Sequence, residues 1–393
     1  MIHKPKAWKK PAKKLIQAIA CTAVVTLSSQ AVFAQAGDKI REQYPELADL
    51  FNAFDVTQAQ TFEAINTINS EARYADDRKE LRMHMEMMKN MTMSEMMASG
   101  MMNHSGMVHT HQHSPYADME MQARMDLIKE MRAKHSDEQA HDAFSDSPVI
   151  NRHAAEVIRQ GRRFETRLFE IYIDDSIDDK VAAVEAAIAD YLSDERHSVP
   201  PIPKESEFLV DHEQATGFKS AYPQLSGLLW TQQWLQLASL EAVILETLDP
   251  QFHNSVDTTL ERFWNKIGTD SGMSMFPAPS ELPMAPAIAP DLYSQSPQAA
   301  IILDNLNILE TVLADILAYP NEKDIQEKMD AAVALFTNKE EAAPRSRDYL
   351  LFALRGGIYD QGGPAVGELT RSERNRSRDA MNMTHSGKMS SNQ

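Results

Sequence analysis

An all-α fold is predicted by three features of the 393-residue chain. Apolar residues recur at three- and four-residue spacing along most of its length. Almost nothing alternates with the period of two that a strand requires, and prolines cluster between the periodic runs, where helices stop. The amphipathic segments are therefore expected to pack as a helical bundle.

The elements follow in order. From about Ala36 to Ser70 the spacing of Leu47, Leu50, Phe51 and Phe54 predicts helix. A methionine-rich stretch follows directly. "DMEMQARMDLIKEMRAKHSDEQAHDAF" then reads as helix again, with Met121, Met125, Leu127, Ile128 and Met131 as its expected buried side. A break at Ser145 to Pro148 closes an amino-terminal region, 35–147. The second group, 148–360, opens with "VINRHAAEVIRQGRRFETRLFEIYI" and the Ala-rich "DDKVAAVEAAIADYL", which the prolines of "HSVPPIP" terminate. "GLLWTQQWLQLASLEAVILETL" is apolar enough to be buried on most sides, with Trp230 and Trp234 in the core. "FHNSVDTTLERFWNKIG" follows, bringing Trp264 as a further core residue. "FPAPSELPMAPAIAP" reads as an extended connector or surface strap. "PQAAIILDNLNILETVLADILAYP", "NEKDIQEKMDAAVALFTN" and "SRDYLLFALRGG" complete the bundle. The runs at 228–248 and 300–317 do not align residue by residue, so no internal repeat is expected. Residues 361–393, after a Gly-rich stretch, hold the basic run "RSERNRSRD" and are expected to form a disordered tail.

The first 34 residues carry six lysines and no acid before an apolar run from Leu15 to Leu27, followed by Val32-Phe33-Ala34. This pattern predicts a secretory signal cleaved near Ala34 and a periplasmic or secreted protein. Cys21 is a poor lipidation candidate, because Ala18-Ile19-Ala20 does not make a lipoprotein site. With the signal gone, the single cysteine goes too, so neither disulfides nor thiolate metal sites are expected. The net charge of -18 falls to -24 over 359 residues (393 minus 34) once the six lysines are removed. That balance repels nucleic acid and concentrates cations. No later run approaches the roughly 18 apolar residues of a membrane span.

The segment "MHMEMMKNMTMSEMMASGMMNHSGMVHTHQH", Met83 to His113, holds eleven of the chain's 23 methionines and five histidines. Between Met83 and Met102 half of twenty residues are Met, while Leu, Ile, Val and Phe are absent. A core helix would draw on those better-defined side chains as well. On a helix Met83, Met85, Met88, Met93 and Met97 spread right round the cylinder and make no single apolar stripe. Sulfur itself is the feature to explain. Thioethers are soft, uncharged ligands that suit Cu(I) and need no deprotonation. If the segment is helical, Met83/Met87/Met91 and Met93/Met97/Met101 each share a side. If it is extended, Met83/Met85/Met87 share one instead. His84 lies within the thioether run, and His104, His109, His111 and His113 follow it, imidazoles that suit Cu(II). Around Gly100 and Gly106 the stretch from Asn90 to Pro115 is expected to be mobile without metal.

"MMNHSGM" resembles the Met/His-rich stretches of periplasmic copper-resistance proteins and of multicopper oxidase accessory loops, and "MNMTHSGKM" near the carboxyl end does so more weakly. The resemblance covers about a tenth of the chain and not its body. It implies Cu(I) binding by Met91, Met93, Met96, Met97, Met101, Met102 and Met107 with His104 beside them. Met381, Met383, His385 and Met389 form the second candidate set. A periplasmic copper oxidase, a transporter or a storage protein would be the partner.

Two other classes compete. A helical chaperone would use methionine as a flexible apolar surface, although the histidines have no place in that account. A di-iron enzyme would use Glu138-x-x-His141 and Asp194-x-x-His197 with Glu241, Glu246 or Glu310 as bridging acids. Asp194 and His197 sit beside prolines and Glu138 in a polar stretch, which favours solvated surface instead. His153, His212 and His253 stand alone in the sequence and are expected to be surface or capped histidines rather than ligands. No nucleophile-elbow glycine pattern supports a Ser-His-Asp site.

Overall fold

The computed structural model describes residues 37–90, 115–204, 216–267, 282–320, 323–340, 349–350 and 353–354. Among these residues there are fourteen α-helices, two 3-10 turns and no strand, as the hydrophobic period predicts. Helix α1 (Asp38–Gln43) stops at Tyr44, and α2 (Pro45–Ser70) begins with proline at its first position. Proline has no N–H to lose there, so it starts a new helix where a continuous one from Ala36 was expected. Leu47, Leu50, Phe54, Phe62, Ile65 and Ile68 of α2 are buried. After a 3-10 turn, α3 (Ala75–Asn90) carries the first methionines of the rich segment.

The single helix expected from Asp118 to Phe144 is two, α4 (Ala117–Met131) and α5 (Asp137–Asp146). The break has a local cause. Ser136 Oγ accepts from the Gln139 amide at 3.2 Å and Gln139 Oε1 accepts from the Ser136 amide at 2.9 Å. This reciprocal cap satisfies two otherwise orphaned donors and fixes a new helix start. The buried side of α4 is Glu120, Arg124, Leu127 and Met131. Met125, expected inside, is 59% exposed.

Helices α6 (Arg152–Ile173) and α7 (Lys180–Ser193) begin at Asn151 and Asp179, whose side chains accept from the amides of Ala154 and Ala182. Short α8 (Thr216–Ala221) leads into α9 (Pro223–Leu248), in which every residue from Leu225 to Leu245 is buried. Trp230 and Trp234 lie in this core, whereas Trp264 on α10 (Ser255–Ile267) is only partly covered and donates to Glu46. Around Leu282 to Ala289, the Pro-rich stretch expected on the surface is buried and includes α11 (Ala285–Ile288). Its apolar alanines and isoleucine fill space beside α9 and α13 (Pro297–Ala318). Helices α12 (Pro290–Gln295) and α14 (Ile325–Thr337) pack on α13.

One continuous core runs from Ile40 to Ala353, so the helices before and after residue 148 share their apolar interior. Helix α9 lies against α2, α4, α6 and α10, and α13 against α2, α6, α8 and α14. Where α6 meets α13, a Cβ on Gly161 would stand 2.7 Å from both Leu306 methyls. Gly161→Ala is expected to destabilise the fold by about 1 kcal/mol, overpacking exceeding the gain in helix propensity. Leu306→Ala should relieve that clash. Denaturant unfolding of the two single variants and the double variant checks this, and full additivity would place the cost elsewhere.

Candidate functional site

The methionine segment enters the described structure through α3. Met83 is 56% and Met87 44% exposed, and their i, i+4 spacing puts both on one side of the helix. Met85 lies on the opposite side, 1% exposed, with its Cε close to Gly217, where a Cβ would stand 3.3 Å away. It is core packing and does not join the Met83/Met87 face. The even wrap of sulfur round the helix is thereby divided: one thioether faces inward and two face solvent. His84 is partly covered, and Arg82 and Glu86 form an i, i+4 pair at 2.9 Å. The side chain of Met88 lies outside the described residues, as do Met91, Met93, Met96, Met97, Met101, Met102, His104, Met107, His109, His111 and His113. Met381, Met383, His385, Met389 and His212 also lie outside them. So does the stretch from 91 to 114 for which mobility was expected.

Exposure of sulfur is selective. Six large apolar side chains are exposed among the described residues, and Met83, Met87 and Met125 are three of them. Leu, Ile, Phe and Trp are otherwise withdrawn, apart from Leu248 and Leu354.

The interior contains a second concentration of chemistry. Arg162 on α6 donates from Nε to Asp55 at 2.9 Å and from Nη2 to Glu310 at 2.7 Å and Gln58 at 2.5 Å. Its Nη1 reaches Glu165 at 3.3 Å. Gln236 on α9 donates to Glu165 at 3.1 Å, and Gln233 donates to the Asn307 carbonyl at 2.9 Å and to Glu310 at 3.4 Å. Three carboxylates from α2, α6 and α13 thus share one guanidinium. Burial pushes Glu165 up to about 7 against the pull of Arg162, and raises Asp55 and Glu310 from the same cause. None of these residues except Glu310 was singled out in the sequence. The signal was there: glutamines at 232, 233 and 236 and an acid at 310 interrupt otherwise apolar helices.

The acids considered as di-iron bridges have other partners. Glu241 accepts from the amides of Asp291 and Leu292 at 2.9 and 3.1 Å, capping α12 from a neighbouring helix. Glu246 accepts from Tyr44 Oη at 2.7 Å and from the Val256 amide at 2.9 Å, and Glu310 is tied to Arg162. His141 bonds Asp142 at 2.7 Å rather than Glu138, and Arg159 and Arg163 lie 3.3 and 3.1 Å from its other nitrogen. Cations in that position oppose a metal. Among the described residues no three His, Cys, Asp or Glu side chains come together as a metal-holding group. The lone histidines separate: His253 bonds the Pro250 carbonyl, whereas the His153 ring meets that of His197 at 5.7 Å. In comparisons with known proteins, the chain matches no family model, no curated sequence and no solved structure.

The interior acids set a pH dependence of known sign. Burial raises Glu241 to about 8 and Asp304 to about 7, as it raises Glu165 to about 7. Each lies above its unfolded value, so the folded chain holds protons that the unfolded chain has lost. Stability is full below the unfolded values and falls as pH rises through the folded ones. Asp118, Asp174 and Asp194 are held below the usual carboxylate range; hydrogen bonds from Tyr74 and Lys39 lead for the first two, and for Asp194 bonds from His197 and two amides outweigh burial. Their contribution is lost in the opposite direction, as acid protonates them. The Tm is therefore expected to be highest near ~pH 5 and to fall toward ~pH 8.5, and Glu165→Gln should flatten that fall. Thermal melts at the two pH values check it; a Tm higher at the alkaline value would contradict it.

Proposed function

We propose that this protein binds copper through the methionine and histidine segment that begins on α3, and that it buffers, stores or delivers the ion after export. The observation that carries the reading is the selective exposure of thioethers: Met83 and Met87 share a solvent-facing side of α3 where the run of eleven methionines starts. Exposing large apolar groups costs roughly 25 cal/mol per Å² of apolar surface left in water. A soft ion coordinated by sulfur offsets that cost and makes use of an uncharged donor. The same residues could instead grip an apolar partner, and sulfur chemistry separates the two cases. Leucine keeps the apolar surface and removes the ligand atom.

The discriminating protein carries leucine in place of Met83, Met87, Met91, Met93, Met96, Met97, Met101, Met102 and Met107. Met85 is retained because its packing against α8 belongs to the fold. Competition with a Cu(I) chelator should show most Cu(I) binding lost while the helical spectrum is kept. Thioether binding should also survive at ~pH 5, where histidines of reference pKa near 6.5 are largely protonated, so Cu(II) capacity should fall more steeply with acid than Cu(I) capacity. Unchanged Cu(I) capacity in the variant would remove the segment from the function. No helix among the described residues is long and apolar enough to cross a membrane. A copper oxidase, transporter or storage protein is the class of partner the proposal implies, and the acidic chain gives no reason to expect nucleic acid.

A further inference from the structure

His153 is the second residue of α6 and His197 follows the end of α7, forty-four positions later in the chain. The fold brings their rings to a centroid separation of 5.7 Å at an interplanar angle of 81°. Each ring has one nitrogen already engaged. His153 Nε2 lies 3.2 Å from the Arg196 carbonyl, and His197 Nδ1 lies 3.0 Å from Asp194 Oδ2. A carbonyl can only accept, so His153 carries its proton on Nε2, and a carboxylate fixes the proton of His197 on Nδ1 in the same way. The remaining nitrogens, His153 Nδ1 and His197 Nε2, then present lone pairs, and no donor among the described residues reaches either.

Asp194 is itself held. Its Oδ1 accepts from the Arg196 and His197 amides at 3.1 Å each, and its carbonyl accepts from Ser198 Oγ at 2.6 Å. A carboxylate that orients an imidazole and fixes its tautomer is the usual support behind a metal-bound histidine. His141 makes a useful contrast. It also bonds an aspartate, but two guanidiniums flank its outer nitrogen, whereas among the described residues no guanidinium bonds the His197 ring, which has Asp194 on one side and the His153 ring beside it.

From this geometry we infer that His153 and His197 form a second metal site, separate from the thioether segment, for a borderline divalent ion of the Cu(II) or Zn(II) class. The two imidazoles supply the protein ligands, Asp194 positions His197, and water completes the coordination. Neutral imidazole favours such ions and, without a thioether, gives no preference for Cu(I). The site does not depend on the copper reading of the methionine segment.

The test reads each histidine by itself, so imidazoles elsewhere do not interfere. The full-length protein is modified with diethyl pyrocarbonate at neutral pH with and without Zn(II), and peptides are quantified by mass spectrometry. Zn(II) should protect His153 and His197 together and leave His253 unchanged. His197→Ala should abolish protection of His153, and His153→Ala protection of His197. Asp194→Asn should weaken the ion's apparent affinity by roughly tenfold or more, as loss of an orienting carboxylate does. Equal modification rates with and without Zn(II), or His153 still protected in His197→Ala, would overturn the inference. Because Cu(I) is absent throughout, failure here leaves the thioether site to its own measurement.

Discussion

The Arg162 guanidinium is the constraint on which this bundle depends. It is the cation within reach of Asp55, Glu165 and Glu310, and those acids come from three helices. Removing it would leave three carboxyl groups in an apolar interior, and breaking a buried ion pair by deleting one partner typically costs about 3–5 kcal/mol. The four groups do not balance as fully ionised species. Burial raises all three carboxyl groups above their ordinary range against the pull of Arg162, while Gln58, Gln233 and Gln236 supply neutral hydrogen bonds.

A second use of buried acid recurs around this centre. Glu170 accepts from the amides of Gly37 and Ile40 at the start of α1, and Glu120 from Gln224 and Leu225 at the start of α9. Glu241 does the same for α12 and Asp315 accepts from the Phe218 amide of α8. Asp304 joins the Ala285 amide to the Tyr349 hydroxyl. Helix N-termini expose unpaired N–H groups, and an acid oxygen from another helix accepts from them. Short helices that could not persist alone are thus tied to long ones. The acid-rich composition is partly an internal device, not only a solvated coat.

Helix class and most of the core were legible in the sequence because periodicity reports burial directly. The run around Trp230 and Trp234 reads as buried and is. Breaks were harder to see. Pro45 and the Ser136/Gln139 pair end one helix and start another without interrupting the apolar pattern. Likewise, Leu282 to Ala289 looks like a surface strap by its prolines, yet its small apolar residues fill the core. The roles of the buried acids were hidden for a related reason: carboxylates at helical spacing are compatible with metal ligation, and only tertiary structure reveals whether their neighbours are amides, an arginine or imidazoles. The pairing of His153 with His197 is likewise a product of the fold.

Among the described residues the buried acids pair with Arg162 or cap helices, and the feature that packing does not account for is the pair of thioethers that face solvent on α3. Met85 shows what a methionine on α3 does when it serves the core, and Met83 and Met87 do not follow it. Copper K-edge absorption on the full-length protein loaded with Cu(I) tests the central claim most directly, because scattering from sulfur is distinct from that of nitrogen or oxygen. The account predicts a first shell dominated by sulfur; a shell of nitrogen and oxygen alone would contradict it.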